Sequence, residues 1–187
     1  MVRRTFGRLL AGAVVAALPL LGAGAATASP AAHAASPRIV YYDASQAGSW
    51  ATNVTAAVAN WNHALTNVQF KAGTRSNSTV ELESYSGWPE TETGSPGSGT
   101  VYLGQEAVDE GYDKTRITAH ELGHILGLPD NYDGDCSILM SGHSAPTTCT
   151  NAVPGPSEVA EVNQIFANGG HAASVEATRR TVALGVF

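Results

Sequence analysis

The run H-E-L-G-H-I-L-G-L-P-D at residues 120–130 constrains this chain more than any other stretch. On an α-helix His120 and His124 lie one turn apart on one face, so both imidazoles can reach one metal ion, with Glu121 one position round. Gly127 suits the left-handed residue that closes such a helix, and Pro129 forbids its continuation. The spacing therefore predicts a helix that stops shortly after His124. A histidine pair of this kind binds zinc, and a glutamate beside it can serve as general base toward water. An amphipathic core helix with two surface histidines and a turn would explain each residue singly, but not their joint spacing. A bare H-E-x-x-H arises by chance in roughly one chain in a hundred of this composition, and the glycine and proline that follow lower that chance.

Asp130 stands six residues after His124, where metzincins place their third zinc ligand, and a carboxylate oxygen is acceptable to zinc in a three-ligand site. Downstream, Ile138-Leu139-Met140-Ser141 resembles the metzincin Met-turn, in which Met140 would pack beneath the histidines without ligating; alone, it would read as a core methionine. The pattern T-A-H-E-x-G-H-x-L-G-L-P-D-x-Y runs from Thr118 to Tyr132, and Cys136 and Cys149 flank the Met-turn. With Asp130 where most metzincins carry histidine, the segment from about Pro37 to Gly169 resembles the snapalysins, small secreted metzincin-type neutral proteases.

That resemblance implies an α+β, zincin/metzincin-like catalytic domain, with a small twisted mixed sheet, an active-site helix, a backing helix and a C-terminal helix. It implies zinc at His120, His124 and Asp130, catalysis by Glu121, and calcium near Asp113 and Thr115. It also implies an endopeptidase that favours Tyr or Phe just after the scissile bond. Tyr132 is open to two readings, a hydroxyl offered to the transition-state oxyanion or simple packing. Other third ligands stay open as well: Glu158 or Glu161 from a later helix, as in other zincins, or His143. A secreted module that binds metal and peptide without catalysis is the competing function, although structural zinc sites usually have four cysteine-rich ligands.

The first 28 residues have the plan of a secretory signal peptide: Arg3, Arg4 and Arg8, an apolar run from Leu9 to Ala26, and a small-residue exit at Ala26-Thr27-Ala28. Residues 29–37 read as a short pro or linker segment, 38–170 as the catalytic domain, and 171–187 as a tail of unknown role. Removing three arginines and no acid takes the formal charge from -6 to -9. An acidic mature chain argues against nucleic acid or membrane as partners and leaves protein and peptide substrates, met by a monomer. In an oxidising, extracellular setting Cys136 and Cys149 are expected to form a disulfide, worth about 3 kcal/mol through loop closure.

Around this motif, Arg38–Tyr42, Val68–Phe70, Thr79–Tyr85 and Thr100–Leu103 read as strands. Within Thr79–Tyr85, Val80, Leu82 and Ser84 would face inward, while Glu81, Glu83 and Tyr85 face water. Val54, Val58, Trp61 and Leu65 mark a helix capped by Thr52 or Asn53, and Val159, Val162, Ile165 and Phe166 mark another, stopped at Gly169-Gly170. Metzincins use a strand near Thr100–Leu103 as an exposed edge that pairs with substrate; the residues alone equally allow an ordinary edge strand. His63, His143 and His171 read as surface residues.

Overall fold

In the computed structural model residues 36–167 are described. The signal segment, most of the linker, the Gly169-Gly170 stop, His171 and the tail lie outside the described residues. The elements are β1 (Arg38–Gln46), α1 (Ala51–Ala64), β2 (Val68–Ala72), β3 (Val80–Tyr85), β4 (Glu90–Thr93), β5 (Gly99–Gly104), α2 (Gln105–Asp109), α3 (Lys114–Ile125) and α4 (Pro156–Ala167). The strands form one mixed sheet in the order β2-β1-β3-β5-β4. All neighbours are parallel except β4, which runs antiparallel to β5.

Strand alternation puts Val40, Val68, Phe70, Val80, Leu82, Val101 and Leu103 into the core, against Val54 and Trp61 of α1 and Ile117 and Leu122 of α3. The core is thus a sheet face covered by two helices. Trp61 locks the helices together, for its buried indole N–H donates to the Ala119 carbonyl at 2.9 Å. Helix α4 buries Val162 and Phe166, with Val159 and Ile165 packed more shallowly. Its Asn163 Oδ1 accepts from the amides of Thr66 and Asn67, each at 3.0 Å, which fixes α4 to the start of β2.

Three expectations are corrected. Helix α1 is capped by neither Thr52 nor Asn53: it grows out of a 3-10 turn at Gly48–Trp50, whose carbonyls supply its first backbone bonds and move its start upstream. Asn53 is thereby freed, and its Nδ2 donates to Thr115 Oγ1 at 2.9 Å. Ser84 is exposed, because the inward alternation of β3 ends at Leu82. Strand β5 is not an edge: it lies between β3 and β4, and the edge is β4, a short Glu-Thr-Glu-Thr segment whose residue types give little strand signal.

Candidate metal centre

Helix α3 starts at Asp113, whose carboxylate accepts from the Arg116 amide at 2.8 Å as an N-cap. Arg116, His120 and His124 follow at intervals of four on one buried face. The helix ends as the Gly-Leu-Pro pattern predicts. Gly127 takes φ 99°, its amide donates to the His124 carbonyl at 2.9 Å, and the Leu128 amide donates to the Gly123 carbonyl at 3.0 Å. The chain then reverses and brings Asp130 back to the histidines.

Each imidazole is oriented by a main-chain carbonyl. His120 Nδ1 lies 3.1 Å from the Leu139 carbonyl and His124 Nδ1 lies 2.9 Å from that of Leu128. A carbonyl only accepts, so both Nδ1 atoms carry hydrogen, and in the neutral imidazoles that bind metal each Nε2 presents its lone pair. Those two Nε2 atoms stand 3.1 Å apart, and Asp130 Oδ1 stands 3.2 Å from the first and 3.5 Å from the second. Asp130 Oδ1 is buried and has no hydrogen-bond partner among the described residues. Three lone-pair atoms turned toward one another call for a cation. Ligand atoms about 2.0–2.1 Å from a tetrahedral zinc stand roughly 3.3 Å apart, so the residues present fit that ion.

Burial alone would raise Asp130, but its contacts with His120 and His124 outweigh this and hold its carboxyl well below the usual carboxylate range. Burial alone would lower His124, and the carboxylates of Asp130 and Glu121 outweigh that and raise it. Glu121 is fully buried, and this burial pushes its carboxyl above the ordinary value despite the nearby histidines and Thr91. Glu121 Oε2 accepts from Thr91 Oγ1 at 2.6 Å. Tyr132 donates to Asp130 Oδ2 at 2.8 Å, and burial together with that bond pushes its phenol up to about 12. The hydroxyl is therefore a proton donor across the neutral range.

The floor of the site is the Met140 segment. A Cβ added at Gly123 would lie 2.5 Å from Met140 Sδ, so the missing side chain lets the methionine sit against the ligand helix. Met140 O accepts from the Asn131 amide at 2.7 Å, tying the floor to the loop that carries Asp130. Gly142, at φ 55°, passes so close that a Cβ there would stand 3.2 Å from His120 Cε1. Beneath, Cys136 and Cys149 are joined in a disulfide. The buried Arg116 guanidinium donates to the carbonyls of Ile138 at 2.8 Å, Asn151 at 2.7 Å and Cys136 at 3.2 Å. Arg116 went unrecognised in the sequence, although a cation four residues before His120 on the ligand face was a signal.

The other sequence candidates lie apart from this cluster. Glu158 is buried, and accepts from the Met140 amide at 2.7 Å and from the Gly155 amide at 2.5 Å, so it holds up the floor. Glu161 is exposed, and so are His63 and His143; the His143 ring leans on Tyr132 with centroids 5.1 Å apart. Among the described residues, the side chains grouped closely enough to hold a metal are His120, His124 and Asp130. Asp113 and Thr115 sit at the start of α3, where Asp113 is the helix cap and Thr115 Oγ1 accepts from Asn53.

A cleft of about 450 Å³ opens beside the histidines, lined by Thr91, Thr93, Pro96, His124, Ile125, Gly127, Leu128 and Asp130 among others. Its wall is the edge strand β4. The Gly99 amide donates to the Thr79 carbonyl, so Gly99 points its backbone groups toward β3. By ladder alternation Thr100 and Tyr102 then bond β4 through Glu92 and Glu90. Thr91 and Thr93 are left with their amides and carbonyls turned to the free edge. Among the described residues no helix is long and apolar enough to cross a membrane.

The family model described as the Streptomyces extracellular neutral proteinase (M7) family matches residues 37–169. The chain is 40% identical over 146 residues to an extracellular small neutral protease of Streptomyces sp. strain C5, a match that covers 76% of this chain and 62% of that protein. It is 40% identical over 130 residues to the extracellular small neutral protease of Streptomyces caespitosus, covering 70% of this chain and 98% of that protein. A third relative of the same description, from Streptomyces coelicolor, is 38% identical over 130 residues and is covered over 60% of its length. The chain thus spans about three fifths of the length of the first and third relatives and almost all of the second.

Proposed function

Because the chain belongs to the Streptomyces extracellular neutral proteinase family, we propose that it is a secreted, monomeric, zinc-dependent endopeptidase of metzincin type. The observation that carries the reading is the convergence of His120 Nε2, His124 Nε2 and Asp130 Oδ1 within 3.1–3.5 Å of one another. These three would hold the zinc. When bound, such an ion supplies Lewis acidity, polarising a carbonyl and lowering the pKa of water beside it.

The residues of the chain do the rest. An extended peptide adds to β4 as a further strand, bonding the outward amides and carbonyls of Thr91 and Thr93, so that affinity comes from backbone and requires little sequence. Glu121 takes the proton from the attacking water and returns it to the leaving amine. The Tyr132 hydroxyl, which donates to Asp130 Oδ2 beside the three metal-binding groups, supports a role as donor to a developing oxyanion. Pro96, Ile125, Gly127 and Leu128 give the cleft beside His124 an apolar wall, which supports a preference for Tyr or Phe just after the scissile bond.

A calcium ion near Asp113 and Thr115 would bind beside oxygens that also serve the fold, Asp113 Oδ1 as acceptor of the Arg116 amide and Thr115 Oγ1 as acceptor of Asn53, and the Asp113 variants described below decide whether it does. The competing reading, a metal- and peptide-binding module without catalysis, leaves the buried Glu121 carboxylate without a purpose. The deciding experiment is casein turnover by metal-stripped and zinc-reloaded protein, alongside Glu121→Gln. Activity should vanish on stripping and return with zinc, and the zinc-loaded variant should lose at least about a hundredfold in rate. A zinc-loaded Glu121→Gln protein that cleaves casein normally would overturn the reading. Cleavage mapping on a peptide library tests the aromatic preference.

A further inference from the structure

Glu121 is entirely buried, and its two carboxylate oxygens are unequally placed. Oε2 accepts a short hydrogen bond, 2.6 Å, from the hydroxyl of Thr91, whereas Oε1 is buried without any partner among the described residues. Thr91 itself is only 8% exposed, and its hydroxyl also approaches the Glu121 main-chain carbonyl at 3.3 Å. A hydroxyl has one hydrogen, and between these two acceptors the carboxylate is much the nearer.

From this we infer that Thr91 is a positioning residue for the general base: its hydroxyl fixes the Glu121 carboxylate by donating to Oε2 and leaves Oε1 as the oxygen that exchanges the proton. The inference rests on Glu121 being the base, as proposed above. A carboxylate oxygen that already accepts a donated hydrogen is the poorer site for an incoming proton, so the bond selects between two otherwise equivalent atoms. It also fixes the side chain, which in a rotamer-rich residue such as glutamate holds the carboxylate in one orientation before substrate arrives.

The position of Thr91 adds a second consequence. Its side chain faces Glu121 while its amide and carbonyl face the free edge of the sheet, where the substrate strand would bind. One residue thus sets the distance between the peptide backbone and the base. Neither Glu90 nor Glu92 can do this, because their backbone groups bond β5.

The test compares Thr91→Val, which keeps the shape and strand preference but removes the hydroxyl, with Thr91→Ser, which keeps the hydroxyl. With zinc content matched to the parent, Thr91→Val should lower kcat by roughly 10–100-fold, as removal of an orienting partner does, and change KM by less than about threefold. Thr91→Ser should recover most of kcat. In the Glu121→Gln background, Thr91→Val should cost almost nothing further, because its effect passes through the carboxylate. A parental kcat for Thr91→Val, a Thr91→Ser variant as slow as Thr91→Val, or an equal loss in both backgrounds would each overturn the inference while leaving the base assignment standing. A fully active, zinc-loaded Glu121→Gln protein would instead remove the base assignment and this inference together.

Discussion

Helix α3 brings His120, Glu121 and His124 to the site within five consecutive residues, whereas β4 reaches the same site from 30 residues upstream, through Thr91 and an outward backbone edge. The helix's contribution depends on a local period, so its geometry follows from the order of its own residues. The strand's contribution depends on which neighbour it pairs with and which side it leaves bare, and neither is a property of Glu-Thr-Glu-Thr taken alone. Chemistry built on the first kind of element can be read from spacing, while binding built on the second requires the topology.

Asp130 is where this contrast breaks most easily, since it depends on both: the stop at Gly127 is local, but the return of the loop is held by the distant floor through the Asn131 amide and the Met140 carbonyl. We expect Asp130→Ala to lose zinc and with it at least about a hundredfold of activity, and Asp130→His to retain metal, because imidazole reaches zinc at nearly the carboxylate distance. Metal analysis after dialysis checks both. Tight zinc binding by Asp130→Ala, with loss in Glu161→Gln or His143→Ala, would move the third ligand elsewhere.

The same division explains what was legible in the sequence. The histidine pair one turn apart, the helix stop, the packing of Met140 against Gly123 and the Cys136–Cys149 bridge are short-range patterns, and each appears where its spacing placed it. The start of α1 was not legible, because a 3-10 turn replaced the side-chain cap that Thr52 or Asn53 would have given. Strand β4 was missed because it is four residues long and half glutamate, a weak strand signal, although Thr91 and Thr93 alternate as a strand requires. With β4 unseen, β5 inherited its role as the edge. Glu158 was weighed as a ligand because its residue type permits it; only the folded chain shows its carboxylate committed to the amides of Met140 and Gly155.

Glu158→Ala leaves two amides without their partner beneath the site, and we expect a destabilisation of about 3 kcal/mol, read by urea denaturation of the zinc-loaded protein. Zinc stoichiometry should stay at the parental value. Loss of metal with unchanged stability would instead return Glu158 to the ligand set.

The edge strand offers a smaller and more selective effect. Thr93→Pro removes an amide that points away from β5, so the fold should tolerate it, but an extended substrate loses one backbone bond. We expect KM to rise about tenfold, the equivalent of roughly 1.4 kcal/mol, with kcat nearly unchanged. Glu92→Pro, which removes an amide bonded to β5, should instead destabilise the protein. Equal behaviour of the two prolines in a KM and melting comparison would show that the two faces of β4 are not distinct.

The smallest effect separates a helix cap from a calcium ligand at Asp113, where a local pattern and a family expectation meet in one carboxylate. As an N-cap, Asp113 satisfies the Arg116 amide, so Asp113→Ala should cost about 1 kcal/mol, while asparagine, an equally good cap, should cost only a few tenths. A calcium ligand behaves otherwise, because asparagine lacks the charge that binds the ion and the loss should appear only when calcium is present. Melting temperatures of the parent, Asp113→Ala and Asp113→Asn, each with calcium and with a calcium chelator, distinguish the two. The cap account requires the ranking parent, asparagine, alanine to be the same in both solutions. A calcium-dependent rise in the parent that disappears in Asp113→Asn would restore the ion at the start of α3.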